Sequence, residues 1–380
     1  MKNNRLLFIY DYFYPAYKAG GPIQSLVNAT ALLSDDYDIF IYTSCYDLNS
    51  NTPLKGLLTD QWVEVILPNS NKAIMVWYNQ TKGYSKAIKK RKFSCIYLNG
   101  IFTFNYVVKP LLYSTKKIDT KLIIAPRGML QEGALASKPL KKKTYLTGLK
   151  LSSLLRKVTW HATDQVEAQD IRKQFGYNAS IQVVPNIPKK PLQSIGQVNK
   201  AKGTLRLAYI SLIAAKKNLY DAIKAVQSSA EHITLDIYGP IKDQDYWAEC
   251  EKLLASTHTN NQITYKGDVL PANVQSTFAS YDAGIFLTKG ENFGHALYEC
   301  LSVGRPIITS HFTPWNNLEH QFAGWNVDIN AKQNIVALLD TIAMMDTNSF
   351  EQYCNGAHQL ASNHYQQLNA RENYKSLFSF

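Results

Sequence analysis

One stretch concentrates the residue types that handle phosphate and polyol: Lys289-Gly290-Glu291-Asn292-Phe293-Gly294-His295-Ala296-Leu297-Tyr298-Glu299-Cys300. Gly290 and Gly294 permit a tight turn and a close approach of ligand to backbone. A helix is expected to start near Gly294 and end before Gly304. Its first amides have no partner within the helix and form a positive seat for phosphate. Glu291 lies on the loop and Glu299 about two helical turns later, so both can face one cleft. Ionised carboxylates only accept hydrogen bonds and therefore suit sugar hydroxyls. The plainer alternative is a helix with a carboxylate at its start and one exposed glutamate. His295 lies inside the stretch, as a ligand contact or as an ordinary helix-start histidine.

Two further segments carry similar chemistry. Tyr14-Pro15-Ala16-Tyr17-Lys18-Ala19-Gly20-Gly21-Pro22 follows the first apolar run and precedes a helix expected over 22–33. Gly20 and Gly21 there offer a backbone nest for an anion, or else a simple strand-to-helix turn. The dinucleotide fingerprint of three spaced glycines is absent. Ser211-Leu212-Ile213-Ala214-Ala215-Lys216-Lys217-Asn218 also sits between a strand and a helix, where Lys216 and Lys217 can reach a diphosphate as point charges.

The elements that must position these segments alternate between short apolar runs and helical patterns, which predicts parallel α/β architecture. Strands are expected at 6–10, 39–43, 63–67, 95–98, 122–125 and 158–162, then at 205–211, 234–238, 263–266, 283–287 and 306–310. Between the two series, prolines, lysines and glycines interrupt the apolar periodicity. The reading is an N-terminal Rossmann-like domain over 1–190, a linker over 191–203 and a C-terminal Rossmann-like domain over 204–380. Two doubly wound domains facing each other across a cleft follow, with ligands beyond the carboxyl ends of the strands. The last stretch, 350–380, reads as helical, and periodicity leaves open whether it packs on the second domain or the first.

The 380 residues are 46% hydrophobic and 18% charged, which argues against disorder and a disulfide scaffold. No run reaches the ~18 apolar residues of a membrane span, and the N-terminus lacks the cleavage pattern of a secretory signal. Five scattered cysteines, never two in a C-x-x-C, fit a reducing cytoplasm and argue against structural zinc. The net charge of +12 is lopsided: residues 1–190 carry 27 Lys and Arg against 12 Asp and Glu (+15), residues 191–380 carry 14 against 17 (−3). Such a field attracts polyanions or an anionic membrane surface. The densest stretch, 138–157, holds Lys141, Lys142, Lys143, Lys150 and Arg156, no acidic residue, and leucines at roughly helical spacing. It reads as a basic amphipathic helix lying on anionic lipid, or as an ordinary solvated helix. Zinc-finger spacing and an RNA-binding aromatic signature are absent, so nucleic acid is not expected as a partner.

Together these segments make the chain resemble the retaining nucleotide-sugar glycosyltransferases of the GT-B fold, family 4, with their E-x7-E motif. The resemblance runs through the glycine loop, Ala125-Pro126-Arg127-Gly128-Met129-Leu130, Val184-Pro185-Asn186, the Lys217 region, Tyr238-Gly239-Pro240 and Glu291 to Glu299. Thr309-Ser310-His311-Phe312-Thr313-Pro314-Trp315 is similar to a stretch in bacterial polysaccharide-biosynthesis members. The resemblance implies that Glu291 contacts the donor sugar's hydroxyls and Glu299 the nucleotide ribose. It also implies that Asn292, Phe293 and Gly294 hold sugar and phosphate by their backbones. Lys217, with Lys216 beside it, would neutralise the diphosphate, and Gly20 and Gly21 would close over it. It implies no cofactor and no metal: a hexose would move from a nucleotide diphosphate sugar, UDP favoured over GDP, to a growing, lipid-linked cell-surface glycan. Asp243-Gln244-Asp245 imitates a metal-binding D-x-D but precedes a helix, where capping is expected. Two positions depart from the pattern. Leu212 stands where members carry an arginine on the diphosphate, and Arg127 stands where many carry histidine, open to donor or acceptor contact. The Leu212 departure keeps a second possibility in view, a weak or inactive nucleotide-sugar-binding or glycan-binding protein of the same fold.

Overall fold

The computed structural model describes residues 4–379 except 69, 82, 89–90, 115–119, 137 and 256–260. The chain divides into two units, Met1–Ile187 with Asn369–Phe380, and Pro188–Leu368. Each is a sheet with helices on its faces.

The first unit is built on strands β1 (Arg5–Ile9), β2 (Asp38–Ser44), β3 (Trp62–Ile66), β4 (Ala73–Asn79), β5 (Cys95–Asn99), β6 (Lys121–Ala125), β7 (Val158–Ala162) and β8 (Ile181–Val183). Their spatial order is β3-β4-β2-β1-β5-β6-β7-β8. The central strands are near-continuous apolar runs because helices cover both faces and both sides of each strand are buried. Leu6 to Ile9 and Cys95 to Asn99 are almost fully inaccessible. The pairing is parallel throughout except at one edge, where β3 runs antiparallel to β4. That hairpin corrects the all-parallel expectation, and β4 itself was missing from the expected strands.

The second unit has six parallel strands, β9 (Thr204–Ile210), β10 (His232–Tyr238), β11 (Gln262–Gly267), β12 (Ala283–Phe286), β13 (Ile307–Ser310) and β14 (Gly324–Val327). Their order is β11-β10-β9-β12-β13-β14. After β9 the chain winds outward through β10 and β11, then returns to lay β12 on the other side of β9. The gap beyond the ends of β9 and β12 is thus a topological switch point. Gly239, just past β10, has φ 130°, and a Cβ there would lie 1.9 Å from the Ser211 carbonyl oxygen. Only glycine lets the two strand-end loops come this close.

The unit boundary differs from the expected one at the linker. The stretch read as a linker packs on the second unit: Val198 joins its core, Leu192 N–H donates to the Ser302 carbonyl at 3.2 Å, and Lys200 Nζ donates to the Ala343 carbonyl at 2.8 Å. The C-terminal stretch is helical as expected, and its packing, left open by the sequence, is divided between the units by two helices. Thr347–Gln367 buries Phe350, Cys354, Ala357 and Ala361 in the second unit. The chain then turns at Asn369, a residue type that tolerates its left-handed φ of 39°. Ala370–Phe378 sends Tyr374, Leu377 and Phe378 into the core of the first unit.

Candidate active site

The loop after β9 and the loop after β12 meet at the switch point of the second sheet. The chain leaves β9, makes a short 3-10 turn over Ala215–Lys217 and enters the helix Leu219–Ser228 through Asn218, whose φ is 57°. The two loops are tied by backbone, Lys289 N–H donating to the Lys216 carbonyl at 2.8 Å. A side-chain pair then joins them, with Lys217 Nζ 2.5 Å from Glu291 Oε1 and both groups partly exposed. Burial, and after it the neighbouring Lys217, lowers the Lys216 ammonium from its ordinary range. Two lysines and one glutamate therefore converge where a doubly wound sheet binds ligands. The pair is preformed, a charge-assisted contact that joins the two loops at the switch point.

Glu291 is held from below. Its N–H donates to the Phe312 carbonyl at 2.9 Å, and Gly290 N–H donates to Thr288 Oγ1 at 3.3 Å. Gly294, at φ 77° and ψ 65°, caps the helix His295–Leu301, where the sequence expected it to begin. An L side chain there would pay about 1–2 kcal/mol for the left-handed conformation. Phe293 is fixed by its own carbonyl, which accepts from Trp315 Nε1 at 2.8 Å, and by ring contacts with Trp315, Tyr298 and His295. His295 is thus a partner of Phe293 at the start of the helix. Asn292 and Phe293 lie partly exposed between the two glycines.

Glu299 occupies the buried face of that helix and is only 5% exposed. Burial pushes its carboxyl up to about 7, with Lys189 pulling the other way. Lys189 Nζ stands 3.9 Å from Oε2, and Oε2 accepts no hydrogen bond from the described residues. Buried carboxylate oxygens are nearly always partnered, so this one is a ready acceptor for a ligand hydroxyl. Lys189 went unrecognised in the sequence, because it lies in a proline-rich stretch assigned to the first domain. Only its position beside Glu299 reveals it.

In the first unit, Gly20 has φ 76° and precedes the helix Gly21–Leu33. The nest is narrower than the sequence suggests. Tyr17 N–H and Lys18 N–H donate to the buried Asp47 carboxylate, each at 3.1 Å, and Gly20 N–H donates to the Tyr17 carbonyl at 3.0 Å. Gly21 is therefore left as the glycine whose amide those bonds do not engage. Arg127, offered by the sequence as a donor or acceptor contact, turns into the unit. It is 8% exposed and donates through Nε to Asn99 at 2.7 Å, through one terminal nitrogen to Asn186 at 2.5 Å, and through the other to the Tyr97 hydroxyl at 2.7 Å. Its φ of 55° is a further sign of a constrained turn. Next to it, Glu167 accepts from Gly128 N–H at 2.6 Å and from Thr163. Arg127 therefore ties the β5, β6 and 184–187 segments together.

Asp243 caps the helix Gln244–Ala255, its Oδ1 accepting from Tyr246 N–H at 3.1 Å, as expected. All five cysteines are free and buried. The basic stretch forms a helix over Pro139–Leu151 and a 3-10 turn over Ser153–Leu155. Leu146 and Leu149 belong to the core, while Leu140 and Leu151 are 82% and 83% exposed. No helix among the described residues is long and apolar enough to cross a membrane.

With the switch-point geometry in hand, residues 193–356 match the family model for Glycosyl transferases group 1. That match lies within the second unit and spans less than half of the chain. HepE from Anabaena, solved with UDP and glucose, is 14% identical over 99% of each chain with a TM-score of 0.71. Sucrose-phosphate synthase from Thermosynechococcus elongatus gives the same 14%, 99% of each chain and 0.71. WaaG, a glycosyltransferase involved in lipopolysaccharide biosynthesis, is 12% identical over 99% of each chain, with a TM-score of 0.64. At these identities the likeness shows the fold, which is GT-B: two parallel-sheet α/β domains. No curated protein matches the sequence.

Proposed function

We propose that the chain is a retaining hexosyltransferase that takes a UDP-sugar donor and extends a lipid-linked cell-surface glycan. The observation that carries this reading is the Lys217–Glu291 pair at the switch point, with the buried Glu299 a few residues along the same motif. A cation for the diphosphate, a carboxylate for the sugar hydroxyls and a second carboxylate for the ribose are the groups that such a donor would use. UDP is favoured over GDP because relatives of the same fold were solved with UDP-glucose and with UDP.

The reaction follows from those roles. The bond between the anomeric carbon and the β-phosphate oxygen breaks, and the acceptor oxygen bonds to that carbon on the same face. The acceptor proton passes to the departing phosphate. Lys217, assisted by Lys216, stabilises the charge that develops on the diphosphate, as a preorganised cation does in a water-poor site. Glu291 orients the sugar, and no metal is required in this scheme. Acceptor and membrane belong to the first unit, whose sequence carries the excess charge. A groove of about 480 Å³ there is lined by Lys142, Lys143, Lys150 and Lys173 together with Leu140 and Leu146. Lysines beside the exposed Leu140, with Leu151 exposed at the other end of the same helix, suit peripheral attachment to the anionic cytoplasmic face of a membrane.

Leu212 supports a second reading, a binding protein of the same fold with little turnover, since it supplies no charge to the diphosphate. Replacing Glu291 by Ala separates the two. A transferase loses UDP release from its donor by about 100-fold or more while still binding UDP. A binding protein shows no UDP release to lose.

A further inference from the structure

The first unit contains a second concavity, distinct in chemistry from the lysine groove. It has a volume of about 510 Å³ and opens beyond the carboxyl ends of β1 and β2, lined by Asp11, Tyr12, Ser44, Tyr46, Asn49 and Tyr106 among others. These strands pair directly, and β1 borders β5 at the switch point of this sheet. The place is one where doubly wound sheets take ligands, and the volume lies in the ~300–1,000 Å³ range of small-molecule sites.

Its lining contains tyrosines, asparagines, serines and two aspartates, and no lysine, arginine or histidine. The stretch 11–60, which supplies all of the lining but Tyr106, is itself acidic, with two lysines against six aspartates in a half of the chain that is otherwise basic. Asp47, the deeper aspartate, is already engaged: its carboxylate accepts from the amides of Tyr17, Lys18 and Leu48. Asp11 is the carboxylate with acceptor capacity to spare, its side chain being hydrogen-bonded by Thr103. It is half-buried at the end of β1, where its own backbone carbonyl accepts from Ser44 N–H at 3.2 Å. Tyr106 packs against Tyr42 with ring centroids 5.6 Å apart and its hydroxyl hydrogen-bonds with Ser44 and Asn79, while Tyr12 packs against Tyr10 at 6.0 Å, so both rings stand on rigid supports.

We infer that this cavity binds a neutral, hydroxyl-rich sugar ring, with the Asp11 carboxylate accepting from its hydroxyls and Tyr12, Tyr46 and Tyr106 supplying phenol contacts and ring faces. An anionic ring or a phosphate meets two carboxylates and no cation and is repelled. A sugar's alternation of hydroxyls and C–H faces matches a lining that alternates acceptors, two-way hydrogen bonders and aromatic rings. The assignment rests on the glycosyltransferase reading in one respect: it makes the ring the receiving end of the acceptor glycan, which is then neutral at that end. Asp47 links this site to the glycine loop, since the carboxylate that floors the cavity also holds the amides of Tyr17 and Lys18.

The test is ligand-observed NMR on the full chain saturated with UDP. The probes are methyl glycosides of glucose, galactose, mannose and N-acetylglucosamine, with glucuronate and glucosamine as charged comparators. At least one neutral glycoside is expected to bind at least about tenfold tighter than glucuronate, and Asp11→Asn and Tyr12→Phe are each expected to weaken it about tenfold. UDP binding by both variants stays unchanged, which also reports that they fold. The inference is overturned if no neutral glycoside binds, if glucuronate binds as well as they do, or if Asp11→Asn binds the glycosides like the parent. Preference for glucosamine over every neutral glycoside overturns it too, in favour of an amine site. Failure of the glycosyltransferase reading looks different: UDP itself does not bind, whatever the glycosides do.

Discussion

Burial of Glu299 pushes its carboxyl up to about 7, and Lys189 offsets only part of that. In the unfolded chain the group has its ordinary pKa near 4.5. Between those values the folded protein holds a proton that the unfolded chain has released, so the stability contributed by this residue falls as pH rises through the window. A shift of this size corresponds to about 3 kcal/mol. The stability of the parent relative to Glu299→Gln should therefore drop by about that much between pH 4.5 and pH 8, measured by denaturant titration. Parallel stability curves would contradict the assignment. Glu291 and Glu299 were legible in the sequence because their spacing brackets two glycines and a helix start. Lys189, Asp47 and Asp11 were not, because each acts through neighbours distant in sequence: Glu299 lies 110 residues from Lys189, and the amides that Asp47 accepts from lie about 30 residues away.

Elements were most legible where burial is two-sided. The runs that became β1, β5 and β12 are almost wholly apolar and buried on both faces, and a strand buried between helices needs nothing else to announce it. The missed strands are those with weaker or broken patterns. β8 has three residues, all at least partly exposed, β14 opens on a glycine, and β4 is one arm of the edge hairpin. The linker was misjudged for a related reason: proline and lysine content suggested an exposed tether, yet Lys200 is buried among carbonyls. The C-terminal helix Ala370–Phe378 tests how elements combine. Tyr374, Leu377 and Phe378 are buried in the first unit, and Arg371 Nε pairs with Asp36 at 2.6 Å. Burying such side chains contributes about 1.5–3 kcal/mol each. Ending the chain after Leu368 should therefore destabilise the first unit by about 5 kcal/mol or more, seen as an early, separate melting transition. A melting profile like that of the full chain would show that the helix adds nothing.

For the molecule as a whole, the two halves divide the chemistry by charge. The second unit gathers the lysines and glutamates of the proposed nucleotide-sugar site. The first, 1–187 with 369–380, carries 27 Lys and Arg against 13 Asp and Glu (+14), together with a lysine groove and an uncharged-ligand cavity. Lysines near an anionic surface contribute about 1 kcal/mol each, so changing Lys141, Lys143 and Lys150 to Gln should weaken sedimentation with phosphatidylglycerol vesicles about 100-fold. Unchanged sedimentation at physiological salt would remove the membrane from the account. The fold was legible as two βα series with glycine loops at the right strand ends, whereas donor and acceptor identity depend on pocket shape that no spacing reveals. The central claim, a UDP-sugar site at the second switch point, is tested most directly by the thermal stability of the full chain with UDP, GDP, ADP or NAD, alongside Lys217→Ala. At 100 times its dissociation constant a site-specific ligand stabilises the fold by about 2.7 kcal/mol. The account predicts that UDP does so, that the other three do less, and that Lys217→Ala loses most of the UDP effect. No shift with any nucleoside diphosphate, or a UDP shift that Lys217→Ala leaves intact, would contradict it.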